Sequence, residues 1–370
     1  MQEDWPLLVS FFPDQWIEMA SSTGALKGLR QDKDAENYIR TLLIHIGCGY
    51  SMRETVIRAK RAGLADISDV AFLKRLRKAK DWLHSLCVAL FEERRISPNV
   101  DSGFQLRLFD GTTVKEPGKT GSQWRIHFSL RIPSLQCDFF KLTATHGNGT
   151  GESFSQYPIH KGDHIIADRG YSKASGIHHV ASKKAYVTVR VNTGTLPMLD
   201  IQGAPFPLLK KVSLIKKAGT IRSWRVLIPW RSRSPVEGRL CVVRKTEQAI
   251  RMTHEKLMRN ASKKGHKIKP ETLEYAKYVI LFTTYQEDSF SDFEVLDWYR
   301  IRWQVELVFK RFKSIAQLGH LPKHNDDSSK SWLYGKMFVA LLIEKLIAHA
   351  TAVSPWGYDL EKPTTDQPMA

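Results

Sequence analysis

The spacing of hydrophobic and polar positions changes twice along the chain. Up to about residue 96, apolar residues recur at helical spacing, through Tyr38–Gly47, Ser51–Ala62 and Val70–Leu90. Ser51 followed by Glu54 makes a capping box, and Ser68-Asp69 offers another helix start. The turn-rich stretch Ser97-Pro-Asn-Val-Asp-Ser-Gly103 marks a boundary. Beyond it the period becomes two. Leu106, Leu108 and Asp110 share one strand face, and Trp124, Ile126, Phe128 and Leu130 alternate with Arg125, His127, Ser129 and Arg131. Phe139–Thr145 reads as a third strand, and the three predict an antiparallel meander. A short helix near Gly151–Tyr157, a buried strand His164–Asp168, a helix over Ser172–Lys183 and a strand Tyr186–Arg190 follow. Helical spacing returns after the strand Tyr278–Thr284, with a helix opened by a Ser291/Glu294 capping box. An apolar helix over Trp332–Ala350 is the last predicted element, and the tail from Pro355 reads as loose. No internal repeat is visible.

The helix after Ser291 separates its residues most clearly by face. At about 100° per residue, Tyr299, Arg302, Glu306 and Lys313 fall at roughly 0°, −60°, −20° and −40°. Ile301, Val305, Val308, Phe312 and Ile315 fill the opposite stripe. A single carboxylate among cations and a phenol suits a site that holds a metal ion and a phosphate backbone together. Lys310 falls on the same face, where an i, i+4 salt bridge to Glu306 explains it equally well.

Composition narrows the partner. The 370 residues predict two or three domains, and 42% hydrophobic content is enough for real cores. Fifty-six Lys and Arg against 38 Asp and Glu leave +18, which points to a polyanion. The apolar run Met337–Ile343 is far too short for a membrane span, and the acidic N-terminus lacks a signal-peptide pattern, so nucleic acid is favoured over a membrane surface. Residues 206–270 hold 18 Lys and Arg against Glu237, Glu247 and Glu255, a balance of +15. Aromatic and β-branched residues interleave with these cations around Trp224 and Trp230, predicting a folded, strand-rich basic module. Cys48, Cys87, Cys137 and Cys241 are scattered, with no CxxC pair, so neither a zinc site nor a disulfide framework is expected. The basic run Lys74–Lys80 on the third helix fits a DNA-binding helical module and an ordinary bundle about equally.

Two acids end apolar strands: Asp110 in Leu-Phe-Asp-Gly and Asp168 in Ile-Ile-Ala-Asp-Arg-Gly-Tyr. Either alone reads as a turn. Together with Glu306 they make three carboxylates whose repulsion calls for cations among them. Oxygen ligands of this kind suit Mg²⁺, and a metal pair can activate a hydroxyl and stabilise a leaving oxygen on phosphate. Asp163 rivals Asp168, but its place before the strand favours a turn role.

Asp110-Gly, Asp168-Arg-Gly-Tyr171 and Tyr299-x2-Arg302-x3-Glu306-x6-Lys313 resemble the bacterial insertion-sequence DDE transposases of the IS-four family. The likeness covers about residues 104–350, and the long spaced signature is its specific part. It implies an α/β fold with an RNase H-like core, interrupted by a β-rich insertion and preceded by a small all-α domain. The implied segments are an N-terminal DNA-binding domain at 1–100, core at 101–195, insertion at 196–276, core at 277–352 and a tail at 353–370. Asp110, Asp168 and Glu306 would be the catalytic, metal-binding triad for Mg²⁺, with Mn²⁺ as a substitute. Tyr299, Arg302 and Lys313 would contact double-stranded DNA; Lys310 and Arg169 are further candidate contacts, and Trp224 a candidate for stacking on an unpaired base near the cut, against the commoner outcome of a tryptophan buried in a β-domain. The implied protein works as a homodimer on element ends and target DNA, in the bacterial cytoplasm at the nucleoid. A host-adopted DNA-binding derivative and a metal-dependent nuclease without strand transfer are the competing readings.

Overall fold

A computed structural model of the chain describes residues 4–29, 34–95, 105–115, 123–132, 137–145, 151–315, 317, 321–322 and 325–352. Among the described residues it is mixed α/β, with twelve α-helices and one eight-stranded mixed sheet. The chain divides into two compact units, Met1–Leu90 with Ser331–Ala370, and Phe91–Lys330. That division groups the C-terminal helix with the N-terminal helices, whereas the expected segments put it with 277–352. The expected tail at 353–370 lies outside the described residues.

The first unit holds α1 (Trp5–Val9), α2 (Trp16–Ser22), α3 (Ala35–Ile46), α4 (Met52–Arg61), α5 (Asp69–Lys78) and most of α6 (Lys80–Arg95). Ser51 accepts the Glu54 N–H at 3.1 Å and Ser68 that of Ala71 at 3.2 Å, so both predicted helix starts have their caps. The single helix expected over Val70–Leu90 is two. The Ala79 N–H is shared between the Arg75 and Leu76 carbonyls, a tightening that closes α5 before α6 begins. The basic run there is not all solvated: Arg75 is buried, with its guanidinium 5.9 Å from the Tyr38 ring. The last helix, α12 (Asp326–Ala352), brings Gly335 against Ile46 of α3. A Cβ at Gly335 would lie 2.5 Å from Ile46 Cδ1 and 3.0 Å from its Cγ2, so a larger residue there would have to displace the Ile46 side chain.

The second unit is built on the sheet. Its strands are β1 (Gln105–Lys115), β2 (Gln123–Ile132), β3 (Cys137–Ala144), β4 (Asp163–Ala167), β5 (Tyr186–Arg190), β6 (Ile221–Trp230), β7 (Arg233–Arg244) and β8 (Tyr278–Thr283). The helices are α7 (Ala174–Ser182), α8 (Leu208–Ser213), α9 (Glu247–Lys264), α10 (Pro270–Tyr275) and α11 (Asp292–Ile315). The spatial order is β3-β2-β1-β4-β5-β8-β7-β6. β1, β2 and β3 form the predicted antiparallel meander, β4 and β5 run parallel to β1, and β8, β7 and β6 return antiparallel.

The basic segment departs from its expectation in two ways. Its strands β6 and β7 continue the same sheet through β8 instead of making a separate module. It also carries a long helix: α9 runs 18 residues from a Thr246 cap to Gly265, which takes the left-handed conformation. Only Ile250 and Ala261 of α9 are buried, so tertiary packing gives little periodic signal there.

Apolar side chains fill both sheet faces. Phe109, Ala167, Val189, Leu240 and Phe282 join Phe154, Tyr171 and Ile177 in one core. On the other side Cys241, Leu281 and Tyr285 pack with Val295, Leu296, Trp298 and Tyr299 of α11. Ser291 and Glu294 form the complete reciprocal box at the α11 start. The four cysteines are free thiols, with Cys48 exposed and the rest buried.

Candidate active site

Strand register brings the two aspartates together. β1 and β4 pair in parallel up to Phe109 opposite Ala167, so Asp110 and Asp168 come next, on neighbouring strands about 4.8 Å apart. Phe109 and Ala167 point into the core that includes Ile177 of α7. Their successors therefore face the opposite side, where α11 packs against β1 and β4. β4 and β5 pair up to Ala167 opposite Val189, which sets Arg190 beside Asp168 in the same row. The row thus reads Asp110, Asp168, Arg190 across three adjacent strands.

Each acid is held locally. Asp110 Oδ1 accepts the Gly111 N–H at 2.8 Å. Asp168 caps the 3₁₀ turn Arg169–Tyr171, its Oδ1 accepting the Gly170 N–H at 2.8 Å. Behind them, Tyr171 Oη and Tyr157 Oη lie 2.6 Å apart, and Tyr157 donates to the Asp110 carbonyl at 2.7 Å. Burial drives both phenols far above their usual range, with Asp110 and Glu152 adding to it. They therefore serve as neutral hydrogen-bond donors.

Tyr299 and Arg302 of α11 reach the same row. Burial raises the Tyr299 phenol, Arg302 and Arg190 oppose that rise, and Asp168 adds to it. Arg302 lies 5.8 Å from the Tyr299 ring, and both line a cavity with Arg190, Arg300 and Val243. Tyr299 also packs against the Leu281 cluster, so the predicted polar face of this helix is partly a packing face. Glu306 lies within α11, about two turns past Tyr299, and Lys313 follows in the same helix. The side chains of both, and of Val305, Val308, Phe312 and Ile315 in the predicted core stripe, lie outside the described residues. Lys310 is exposed.

The remaining candidates are dispersed. Arg169 is exposed at the rim of a basic cavity of about 580 Å³ that Arg190, Lys245 and Lys256 also line. Burial lowers Lys245 to about 8, with Arg190 assisting. Trp224 is partly buried and packs against the core, its ring 6.2 Å from Phe206. Asp163 is the first residue of β4 and also closes the turn before it, its N–H donating to the His160 carbonyl at 3.1 Å and its Oδ2 accepting the His160 N–H at 2.9 Å. It is buried, with Arg107 Nη1 at 2.8 Å from its Oδ2, and so takes a structural place in the sheet.

Sequence reading missed Arg190 and Glu152. Arg190 ends its strand and Asp168 directly follows its own, and that was the available signal; Asp110, expected at a strand end, lies inside β1, which runs on to Lys115 because its pairing with β2 continues. Glu152 falls in the segment expected as a short helix, of which only a 3₁₀ turn at Phe154–Gln156 forms, and nothing local marks its carboxylate. Among the described residues no cluster of three His, Cys, Asp or Glu is placed to hold a metal ion. The pair Asp110 and Asp168 nevertheless offers half-buried, oxygen-only donors without thiol or imidazole, a set that fits a hard divalent cation.

Comparison with known proteins agrees with this chemistry. The profile of a family described as "Transposase DDE domain" matches residues 144–343. The chain is 31% identical over 368 residues to the transposase for insertion sequence element IS421 of Escherichia coli, covering 97% of this chain and 98% of that one. InsL of insertion sequence element IS186A, from Escherichia coli strain K12, is 31% identical over 367 residues, with the same coverage. The transposase for insertion sequence element IS231E of Bacillus thuringiensis subsp. finitimus is 22% identical over 200 residues, 50% of this chain and 41% of that protein.

Proposed function

Since this chain belongs to the DDE transposase family of insertion sequences, enzymes that act on DNA, we propose that it cuts and joins the ends of its own element. In this reading it binds the terminal inverted repeats in double-stranded DNA, hydrolyses the phosphodiester at each end, and directs the freed 3′-OH onto target DNA. The observation that carries the reading is the row Asp110, Asp168, Arg190, facing the helix that bears Tyr299, Arg302 and Glu306. The strand order β3-β2-β1-β4-β5, antiparallel and then parallel, supports an RNase H-like core.

Asp110, Asp168 and Glu306 would hold Mg²⁺, with Mn²⁺ as a substitute. When bound, the metal supplies Lewis acidity toward phosphate oxygens and lowers the pKa of water. The protein's own groups do the rest. Arg302 offers a planar fork suited to two phosphate oxygens, and Arg190 approaches from the sheet side. Tyr299 donates as a neutral phenol, because its raised pKa keeps the proton on. Lys313, Lys310 and Arg169 add point charges along the DNA. The basic segment 206–270 supplies most of the long-range attraction, by displacing counterions from the backbone. The N-terminal helices bind DNA, the partly buried Trp224 stacks on an unpaired base near the cut, and two copies hold two ends. The enzyme works at the bacterial nucleoid. Among the described residues no helix is long and apolar enough to cross a membrane.

The test uses purified protein, duplexes carrying the element ends, and Mg²⁺ or Mn²⁺. Expected are strand-specific cleavage and joined products in a plasmid target. Glu306→Gln should bind the ends and fail to cut. Cutting by Glu306→Gln sinks the triad, and cleavage without joined products leaves a nuclease.

A further inference from the structure

Glu152 sits where the two aspartate-bearing segments meet. Its Oε1 pairs with Arg125 Nη1 of β2 at 2.7 Å, and its carbonyl accepts Lys173 Nζ at 3.0 Å. Lys173 stands five residues after Asp168, so the Glu152 segment is tied both to the meander and to the Asp168 turn. The other carboxylate oxygen, Oε2, occupies the space that a side chain at Gly170 would need. A Cβ at Gly170 would also lie 3.0 Å from Glu152 Cδ and 3.1 Å from Asp168 Oδ1. The φ of Gly170 is not in the left-handed region, so space rather than backbone freedom calls for glycine. On the Asp110 side, the corresponding position at Gly111 lies 3.5 Å from Glu152 Cγ. Glu152 also acts electrostatically, together with Asp110, on the buried Tyr157 and Tyr171 phenols that back the site.

We infer that Glu152 is a positioning residue: wedged between Gly111 and Gly170 and neutralised by Arg125, it sets the spacing and orientation of Asp110 and Asp168. The inference rests on the metal-dependent reading above. The pairing matters for charge as much as for shape. A fourth free carboxylate would add repulsion beside the three of the triad, whereas an acid already engaged by Arg125 gives a rigid strut with little net field. The glycine of the Asp-Arg-Gly-Tyr motif then has a specific purpose, which is to admit that carboxylate.

The full-length protein is assayed for end cleavage across a Mg²⁺ titration, for Mn²⁺ binding by electron paramagnetic resonance without DNA, for end-DNA affinity and for melting. Glu152→Ala should slow cleavage about 10- to 100-fold, as loss of an orienting partner behind a metal ligand does. It should weaken Mn²⁺ binding and leave DNA affinity and Tm near wild type. Glu152→Gln, which keeps the shape and one bond to Arg125, should recover much of the rate. Gly170→Ala should reproduce the loss by displacing Glu152, and adding Glu152→Ala to it should cost nothing further, the signature of a shared interaction. Wild-type cleavage and Mn²⁺ binding in Glu152→Ala overturn the inference, and so do additive losses in the double variant. A fall in Tm and DNA affinity that accounts for the lost rate also overturns it, by making Glu152 merely structural. Asp168→Asn serves as the control: if it cleaves, the triad reading fails instead.

Discussion

Replacing Arg107 by Met tests the electrostatics on which the sheet's geometry rests. Arg107 is 2% exposed, inside β1, two strand positions before Phe109. Its Nη1 donates to Asp163 Oδ2 at 2.8 Å and to the Pro158 carbonyl at 2.7 Å, its Nη2 donates to Ser129 Oγ at 3.1 Å, and its Nε lies 3.0 Å from Asp138 Oδ2. Asp138 and Asp163 are as buried as the arginine, and Arg131 is the other cation on Asp138. Methionine keeps much of the volume and removes the charge, leaving two buried carboxylates with one half-exposed arginine. Breaking a buried pair from one side costs about 3–5 kcal/mol. For a unit of 150–250 residues each kcal/mol moves Tm by about 2–4 °C, so melting should fall by about 6–20 °C at pH 7.

The pH dependence supplies a second arm. Burial pushes the Asp138 carboxyl up, but Arg107, Ser129 and Arg131 together hold it below its usual value of 3.8. A depressed folded-state pKa means that the unfolded chain takes up protons first as pH falls. The stabilisation is therefore full at neutral pH and is lost below about pH 4. Wild type and Arg107→Met should accordingly converge in acid. Calorimetry at pH 7 and at pH 4 and below reads both effects. A variant within about 1 kcal/mol of wild type at pH 7, or a gap that does not narrow in acid, refutes the reasoning.

Three further outcomes are expected. Gly238→Ala puts a Cβ 2.5 Å from both Phe282 Cζ and the Thr283 carbonyl, so it should cost at least about 1–3 kcal/mol by denaturant titration. Burial lowers His127 and His164 from 6.5 to about 4, so the folded protein keeps them neutral where the unfolded chain protonates. Stability should fall as pH drops from about 6.5 toward 4, and His164→Gln should flatten that slope in urea melts. Arg190→Ala should lower the salt-dependence slope of end binding by about 0.9 if the guanidinium contacts one phosphate, and an unchanged slope would remove it from the DNA path.

The legible parts of the fold were those whose signal is local. Strand alternation gave β2 and β5, and capping residues gave the starts of α4, α5 and α11, because each reports on its own backbone. Asp110 and Asp168 were legible as acids closing apolar runs, but their adjacency is a register fact that no single strand carries. The same holds for Arg190 and for the joining of β7 to β8 across a 33-residue gap from Arg244 to Tyr278. Glu152 was invisible because its role depends on contacts with residues 125 and 170, not on a pattern around position 152. Nothing local marks Arg107 as buried; two distant aspartates meet it in the interior.

The continuity of β8 with β7 and β6 sets a limit on how small this enzyme can be made. β8 reads Tyr-Val-Ile-Leu-Phe-Thr and is buried along almost its whole length. Excising residues 196–276 as though they were an appendage would strip its partner strand and leave an unpaired, apolar edge of six residues beside β5. Such an edge recruits other chains. Truncated or chimeric versions should therefore keep the β6–β7 hairpin as a cover, or replace it with another strand, even where its DNA contacts are to be discarded.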